Sequence, residues 1–243
     1  LDFGVLHLEF DIRVTRCGTP IIYHDEYALD KRGQKRLIAE VMARDFAVLG
    51  GTFATMPTAE ALLLAASAHP NTDATFLIDI KDGGFEDMIH ALVCASGLES
   101  RSVYVSWVPN VLYRMFEIAP HIPLCLSHWC QSPNAGTRAK HRVHTSKKGV
   151  IPRLKDCFIH GERSGWYVAG GVCGNMREIL KQTGGSVCVP QNMITRDLVD
   201  AYHADNIAVS TFSYVFMQDI IEHKDIYDID LYFVDNKRVF DAL

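Results

Sequence analysis

Short apolar runs rich in β-branched residues alternate with longer, helix-like stretches along most of the 243-residue chain. This alternation is typical of repeated βα units, in which the strands pair in parallel and the helices cover the sheet. The runs with the length and composition of strands are Val5–Val14, Phe76–Lys81, Ser102–Trp107, Ile122–Ser127, Ser186–Pro190, Ile207–Phe212 and Ile229–Asp235. The sequence therefore predicts an α/β protein built on a parallel sheet.

Helical periodicity and capping residues occupy the stretches between these strands. The predicted helices are Thr58–Ala68, Phe85–Ser96, Val111–Ile118, Asn175–Lys181, Thr195–Ala204 and Tyr214–Glu222. A closed parallel barrel has eight strands and a doubly wound sheet usually has five or six, so the strand count alone does not choose between them. Residues 18–56 and 130–171 are longer than ordinary loops and are predicted to be functional insertions.

The composition excludes several classes of protein. With 48% hydrophobic and 22% charged residues, the chain is predicted to be a globular protein whose length fits a single barrel domain. A net charge of -5 argues against nucleic-acid binding but leaves a small anionic substrate open. No apolar run is long enough to span a bilayer. No signal peptide opens the chain, which favours the cytoplasm, although a targeting segment ahead of Leu1 stays open, as does the oligomeric state.

Common catalytic and metal-binding motifs are missing from the sequence. The seven cysteines are scattered without a C-x-x-C pair, and we interpret them as reduced core or loop residues. The histidines other than His24 show no spacing typical of metal ligands. There is no P-loop and no G-x-S-x-G, and Gly170, Gly171 and Gly174 do not form a dinucleotide fingerprint. Nucleotide triphosphate and nicotinamide chemistry are therefore not supported.

Acidic residues on two predicted strands are the strongest candidates for a site. Glu9 and Asp11 alternate onto one face of the first strand, and Asp79 and Lys81 share a face at the end of the second. Carboxylates that converge usually bind a cation, and oxygen ligands favour Mg²⁺ or Ca²⁺. Lys81 could then contact a phosphate oxygen. The alternative is that these are solvated acids on ordinary strands.

A histidine follows the first candidate strand closely. His24 lies in Y-H-D, after an apolar stretch and before a loop, and imidazole can transfer protons near neutral pH. A purely structural role is the alternative. The basic residues of 138–148 are interpreted as a solvated loop, with steering of an anionic substrate as the alternative.

Four motifs in order resemble the glycerophosphodiester phosphodiesterase family. They are E-F-D at 9–11, T-R-C-G-T-P-I-I-Y-H-D at 15–25, M-P-T-A-E-A-L-L at 56–63 and L-I-D-I-K at 77–81. The family typically shows E-x-D-V-x-x-T-x-D-G-x-x-V-x-x-H-D, then P-T-L-E-E-x-L, then E-I-K. Weaker similarity continues through V-Y-V-S-W, V-S-T-F and F-V-D-N and thins between Cys130 and Ser186.

The resemblance implies a TIM (β/α)8-type barrel in which residues 1–243 supply strands two to eight of one domain. It also implies a divalent metal, Mg²⁺ or Ca²⁺, held by Glu9, Asp11 and Asp79, a catalytic His24 and a phosphate-binding Lys81. The implied reaction is hydrolysis of glycerophosphodiesters to sn-glycerol 3-phosphate and an alcohol. Asp79 departs from the usual glutamate, and Ser210 stands where the family usually has tryptophan.

The family's first strand, with H-R-G and a second catalytic histidine, has no counterpart in these residues. A barrel without it would expose two strand edges, so we expect a truncated sequence. Loss of one proton-transfer group typically costs about 10²- to 10⁴-fold, so this chain alone is expected to turn over weakly. Two further hypotheses are a lysophospholipase D-like enzyme, with an apolar entrance around Trp129 and Trp166, and a catalytically silent barrel.

Overall fold

A computed structural model describes residues 1–2, 4–131, 166–169, 172 and 174–235. The chain divides into two compact units. The first comprises Leu1–Ser106 and Asn110–Ile122, and the second comprises Trp107–Pro109 and Pro123–Leu243. All five predicted site residues lie in the first unit. The prediction of a single domain stays a prediction.

The first unit is built on a four-stranded sheet and a separate hairpin. Its strands are β1 (His7–Val14), β2 (Pro20–Ile22), β3 (Tyr27–Leu29), β4 (Lys35–Leu37), β5 (Thr75–Ile80) and β6 (Ser102–Ser106). The sheet order is β2, β1, β5, β6, where β1, β5 and β6 are parallel and the short β2 runs antiparallel to β1. β3 and β4 pair with each other as the hairpin.

The helices of this unit are α1 (Phe46–Leu49), α2 (Ala59–Ser67), α3 (Glu86–Ala95) and, over most of its length, α4 (Pro109–Ile118). Thr58 caps α2 as its sequence predicts, since its Oγ1 accepts a hydrogen bond from the Ala61 amide at 3.2 Å. The strand β5 is buried at every position but its first, which explains its nearly continuous apolar run. A covered parallel sheet is the expected product of such runs.

Residues 18–56, which include β2, β3 and β4, form a small apolar core of their own. Ile21, Ala28, Ile38 and Phe53 form a buried apolar cluster there. The Asp30 carboxylate accepts hydrogen bonds from the amides of residues 32 and 34, each at 2.9 Å, and so closes the β3–β4 turn. The predicted insertion is therefore an ordered element, and it carries His24 between β2 and β3.

Gly51 packs its backbone directly against this hairpin. It has φ of +58°, and a Cβ at this position would meet the Leu29 carbonyl oxygen at 2.6 Å. We expect Gly51→Ala to destabilise the protein by about 3 kcal/mol, the sum of left-handed strain and overpacking. The matched control is Gly33→Ala, which has φ of +72° and no atom within 4 Å, so it isolates the strain. Equal losses for the two variants in urea denaturation would contradict the steric explanation.

The described residues of the second unit form five parallel strands and three helices. Its elements are β7 (Leu124–Gln131), β8 (Trp166–Ala169), α5 (Gly174–Gln182), β9 (Ser186–Pro190), α6 (Arg196–His203), β10 (Ala208–Tyr214), α7 (Met217–Tyr227) and β11 (Leu231–Val234). The strand order is β8, β7, β9, β10, β11. Ser210 is buried within β10, where its hydroxyl donates to the Val187 carbonyl at 3.0 Å.

The seven predicted strands all form, with ends shifted by a few residues. The predicted helix Tyr214–Glu222 is wrong at its start, because Tyr214 ends β10 and the helix begins at Met217. The sequence pattern did not predict four short strands of three or four residues each, which are β2, β3, β4 and β8. Of the insertion 130–171, residues 132–165 and 170–171 lie outside the described residues, so its predicted role stays a prediction. In the described part of the chain, no helix is long and apolar enough to cross a membrane.

Candidate metal and phosphate site

Three acidic side chains converge where β1 and β5 run side by side. Asp11 is directly opposite Asp79 in the parallel register, and Glu9 lies two residues earlier on β1, on the same face. Carboxylate oxygens of Glu9, Asp11 and Asp79 all lie within 4.8 Å of one another. We call these three residues the carboxylate cluster. The structure thus brings together the three residues that the sequence proposes as metal ligands.

Lys81 adds a positive charge to the carboxylate cluster. Its Nζ lies 2.8 Å from Asp11 Oδ1 and 2.5 Å from Asp79 Oδ2. The Lys81 amide also donates to the Ile12 carbonyl at 3.1 Å, which continues the β1–β5 pairing past the end of β5. Burial alone would lower the pKa of Lys81, but the adjacent carboxylates of Asp79 and Asp11 outweigh it and raise that pKa. Lys81 is therefore a fixed cation at neutral pH.

The carboxylate cluster carries more negative charge than Lys81 can neutralise. Burial raises the pKa of Asp79, against the opposing effect of Lys81. Partial loss of hydration, followed by repulsion from Asp11 and Asp79, raises the pKa of Glu9 to about 8. Because Glu9 is exposed to solvent, we give more weight to the repulsion than to the loss of hydration. Uncompensated carboxylates that face one another favour either a proton or a bound cation.

One oxygen of Asp79 indicates that a bound cation is expected in preference to a proton. Asp79 Oδ1 is buried and makes no hydrogen bond to any described residue. A buried carboxylate oxygen without a partner is costly, and a ligated cation would satisfy it. Because the donors are all oxygens, the cluster fits a hard divalent ion such as Mg²⁺ or Ca²⁺.

His24 lies in the loop after β2, with its side chain 59% exposed. Its Nδ1 is 2.9 Å from Asp25 Oδ1, and a protonated His24 would favour the ionised form of Asp79 by direct charge attraction. When Nδ1–H donates to Asp25, the lone pair of Nε2 is free to accept a proton. Nε2 makes no hydrogen bond within the described ranges. His24 is thus close to the cluster and able to exchange protons with solvent or substrate.

Arg13 holds the His24 loop against the sheet, a role that the sequence reading missed. Its Nη1 donates to Asp82 Oδ1 at 2.7 Å, and its Nε donates to the His24 carbonyl at 3.1 Å. Asp82 also accepts from the Val14 amide at 2.8 Å. One guanidinium therefore ties together the ends of β1 and β5 and the loop that carries His24. The sequence offered one signal for this pair. Arg13 lies near the end of one predicted strand, and Asp82 lies just past Lys81 at the end of the next.

Removal of the Arg13 side chain would leave Asp82 without its ionic partner at a mostly buried position. We expect Arg13→Ala to destabilise the protein by about 3 kcal/mol, measured by urea denaturation. The control is Arg114→Ala, which breaks an exposed pair with Asp87 and should cost less than about 1 kcal/mol. A loss at Arg13 no larger than that at Arg114 would show that the Arg13–Asp82 pair does not hold the loop.

The fold is that of solved TIM-barrel glycerophosphodiester phosphodiesterases, which confirms the predicted fold class and agrees with the resemblance of the motifs. No protein-family model and no curated protein matches the sequence. Solved structures do match over nearly the whole chain. At their low identities the likeness shows the fold, and the chemistry has to be argued from the site.

A proposed glycerophosphoryl diester phosphodiesterase from Silicibacter pomeroyi is 18% identical, with a TM-score of 0.69 over 98% of this chain and 84% of its own. A glycerophosphodiester phosphodiesterase from Parabacteroides distasonis is 13% identical, with a TM-score of 0.66 over 99% and 84%. An Oleispira antarctica phosphodiesterase, solved with the product sn-glycerol-3-phosphate, is 14% identical, with a TM-score of 0.64 over 99% and 85%.

Proposed function

We propose that this protein hydrolyses glycerophosphodiesters to sn-glycerol 3-phosphate and an alcohol with the help of a divalent metal. The observation that carries the proposal is the carboxylate cluster, in which the buried Oδ1 of Asp79 has no partner among the described residues. The fold supports the substrate class, since a phosphodiesterase of the same fold has been solved with sn-glycerol-3-phosphate.

Glu9, Asp11 and Asp79 would hold the metal, and Mg²⁺ or Ca²⁺ suits their oxygen donors. When bound, such an ion supplies Lewis-acid stabilisation of the negative charge on the phosphoryl oxygens. Asp79 is one methylene shorter than the glutamate usual in the family, yet the structure brings its carboxylate within reach of both other ligands.

Lys81 would bind a non-bridging phosphate oxygen. Its ammonium group is held at the cluster by Asp11 and Asp79, and its raised pKa keeps it charged throughout the neutral range. A fixed ammonium at that position stabilises the charge that develops as the phosphodiester bond breaks, with little reorganisation cost. Lys81 is therefore proposed to stabilise the transition state electrostatically, separately from the metal.

His24 would move a proton. Hydrolysis requires one proton to leave the attacking water and one to reach the departing alkoxide, and an imidazole beside the phosphate can do either. Asp25 would orient the ring by accepting from Nδ1–H, which would leave Nε2 as the proton acceptor. The side chain's exposure leaves room for a substrate alcohol to approach it.

The proposal is tested by product analysis. Protein expressed from the complete gene is incubated with glycerophosphocholine or lysophosphatidylcholine, and sn-glycerol 3-phosphate and choline are quantified in Mg²⁺, in Ca²⁺ and in EDTA. We expect both products from glycerophosphocholine in the presence of metal. Preferential release of choline from lysophosphatidylcholine would move the assignment to a lysophospholipase D. Absence of any product from folded protein would favour the silent barrel instead.

A further inference from the structure

A second group of metal-binding side chains lies at the C-terminal end of α3. His90 and Cys94 are four residues apart and therefore lie on one face of the helix. Glu99 follows in the 3-10 turn Glu99–Arg101. One ligand atom from each of His90, Cys94 and Glu99 lies within 4.8 Å of the others. None of these residues belongs to the carboxylate cluster or to the elements that form it.

The spacing of the nitrogen and sulfur atoms matches a tetrahedral metal. His90 Nε2 lies 3.5 Å from Cys94 Sγ. Two ligands bound to tetrahedral zinc at the usual Zn–N and Zn–S distances are about 3.6 Å apart. Cys94 Sγ also lies 3.8 Å from His90 Nδ1, beside the ring, so rotation of one of the two side chains would let Nε2 and Sγ bind the same ion.

His121, which follows α4, is a hydrogen-bond partner of Glu99. Its Nε2 lies 2.8 Å from Glu99 Oε1. The His121 imidazole therefore contacts Glu99, which is one of the three residues of this second group. One imidazole, one thiol and one carboxylate make a set of three protein ligands, and water can complete a tetrahedral zinc site. The three ligands come from α3 and the 3-10 turn that follows it.

Tyr104 positions the His90 ring from the buried side. Its hydroxyl lies 2.8 Å from His90 Nδ1, and the Tyr104 side chain is fully buried. Burial also raises the pKa of Tyr104, so the phenol stays neutral. When Nδ1–H donates to the phenol oxygen, Nε2 is left with a free lone pair. Metal-bound histidines are commonly held in this way by a hydrogen bond to the other ring nitrogen.

We propose that His90, Cys94 and Glu99 form a zinc site, with water as the fourth ligand, that joins α3 to the 3-10 turn that follows it. Zinc is favoured over Mg²⁺ or Ca²⁺ because the donors include sulfur and nitrogen, whereas the carboxylate cluster offers only oxygen. Cys94 binds as the thiolate, and its proton passes to solvent. The site is separate from the phosphodiesterase chemistry and acts as a crosslink in the first unit.

Cobalt(II) substitution tests the site through the metal–sulfur bond. Purified protein is first stripped of metal and reduced, then titrated with Co²⁺, and the thiolate-to-cobalt charge-transfer band is recorded in the near ultraviolet. Metal in the carboxylate cluster gives no such band, because that cluster has no sulfur. We expect a band that saturates at one equivalent, is lost in Cys94→Ser and is retained in Cys17→Ser, which alters the other exposed free cysteine among the described residues.

Zinc competition against bound cobalt then measures the affinity. Cys94→Ser should weaken zinc binding by at least about 100-fold, and Tyr104→Phe by about 10-fold with the band retained, since outer-shell partners typically contribute 10- to 100-fold. Circular dichroism checks that each variant is folded. No charge-transfer band in the wild type, or a band that survives Cys94→Ser, would overturn the proposal.

Discussion

Replacing Asp79 by asparagine is expected to lower kcat/KM for glycerophosphocholine by at least about 10³-fold, because a metal ion stabilises a phosphoryl transition state by several kcal/mol. Asparagine keeps the shape of the side chain but removes the charge and one strong oxygen ligand. The measurement is steady-state release of sn-glycerol 3-phosphate at saturating metal. Asp87→Asn removes an exposed carboxylate on α3 and serves as the control, with activity expected to stay unchanged.

The stability of Asp79→Asn distinguishes a metal ligand from a carboxylate that stabilises the fold. Burial raises the pKa of Asp79, so its ionised form costs stability in the metal-free protein. That cost is absent below about pH 4, where the unfolded carboxyl is also protonated, and grows as the pH rises. Without metal, Asp79→Asn is therefore expected to be at least as stable as the wild type at pH 7. Strong destabilisation in EDTA would mean that Asp79 serves the fold instead of a metal.

Replacing His24 by alanine is expected to lower kcat by about 10²- to 10⁴-fold, the usual contribution of a proton-transfer group. Metal affinity should stay the same, because His24 is not part of the carboxylate cluster. Asp25→Asn, which keeps His24 but weakens its orienting partner, should lose less than His24→Ala and shift the acid limb of the pH–rate profile. The profile is measured with glycerophosphocholine at saturating metal.

The control for this experiment is His203→Gln, which removes a partly exposed histidine that pairs with Asp230. We expect wild-type rates from it. A His24→Ala variant that turns over at the wild-type rate would remove His24 from the mechanism. A variant that loses metal binding together with activity would instead place His24 among the ligands.

Much of the carboxylate cluster could be predicted because strand geometry is local. Alternation along Leu8–Arg13 fixes which face Glu9 and Asp11 share, and the same rule applies to Asp79 and Lys81. What alternation cannot give is the register between β1 and β5. The structure sets Asp11 opposite Asp79, which brings the two acidic pairs together. That register depends on hydrogen bonds between segments more than 60 residues apart.

Other features depend on contacts that no local pattern reports. Arg13 looked like an ordinary strand residue, and its role appears only when Asp82 and the His24 carbonyl meet it. The short strands β2, β3 and β4 were missed because three-residue strands carry almost no periodicity. The prediction that only His24 among the histidines is functional missed one pair, because His90 and Cys94 are one helical turn apart in a predicted helix. Glu99 joins them only through tertiary structure.

The central claim is that the carboxylate cluster holds a divalent ion that phosphodiester hydrolysis requires. Release of sn-glycerol 3-phosphate from glycerophosphocholine, measured against free Mg²⁺ and free Ca²⁺ after EDTA treatment, tests it most directly. We predict a rate that rises from background to saturation with at least one of the two ions. A rate that is the same in EDTA as in saturating metal would contradict the claim.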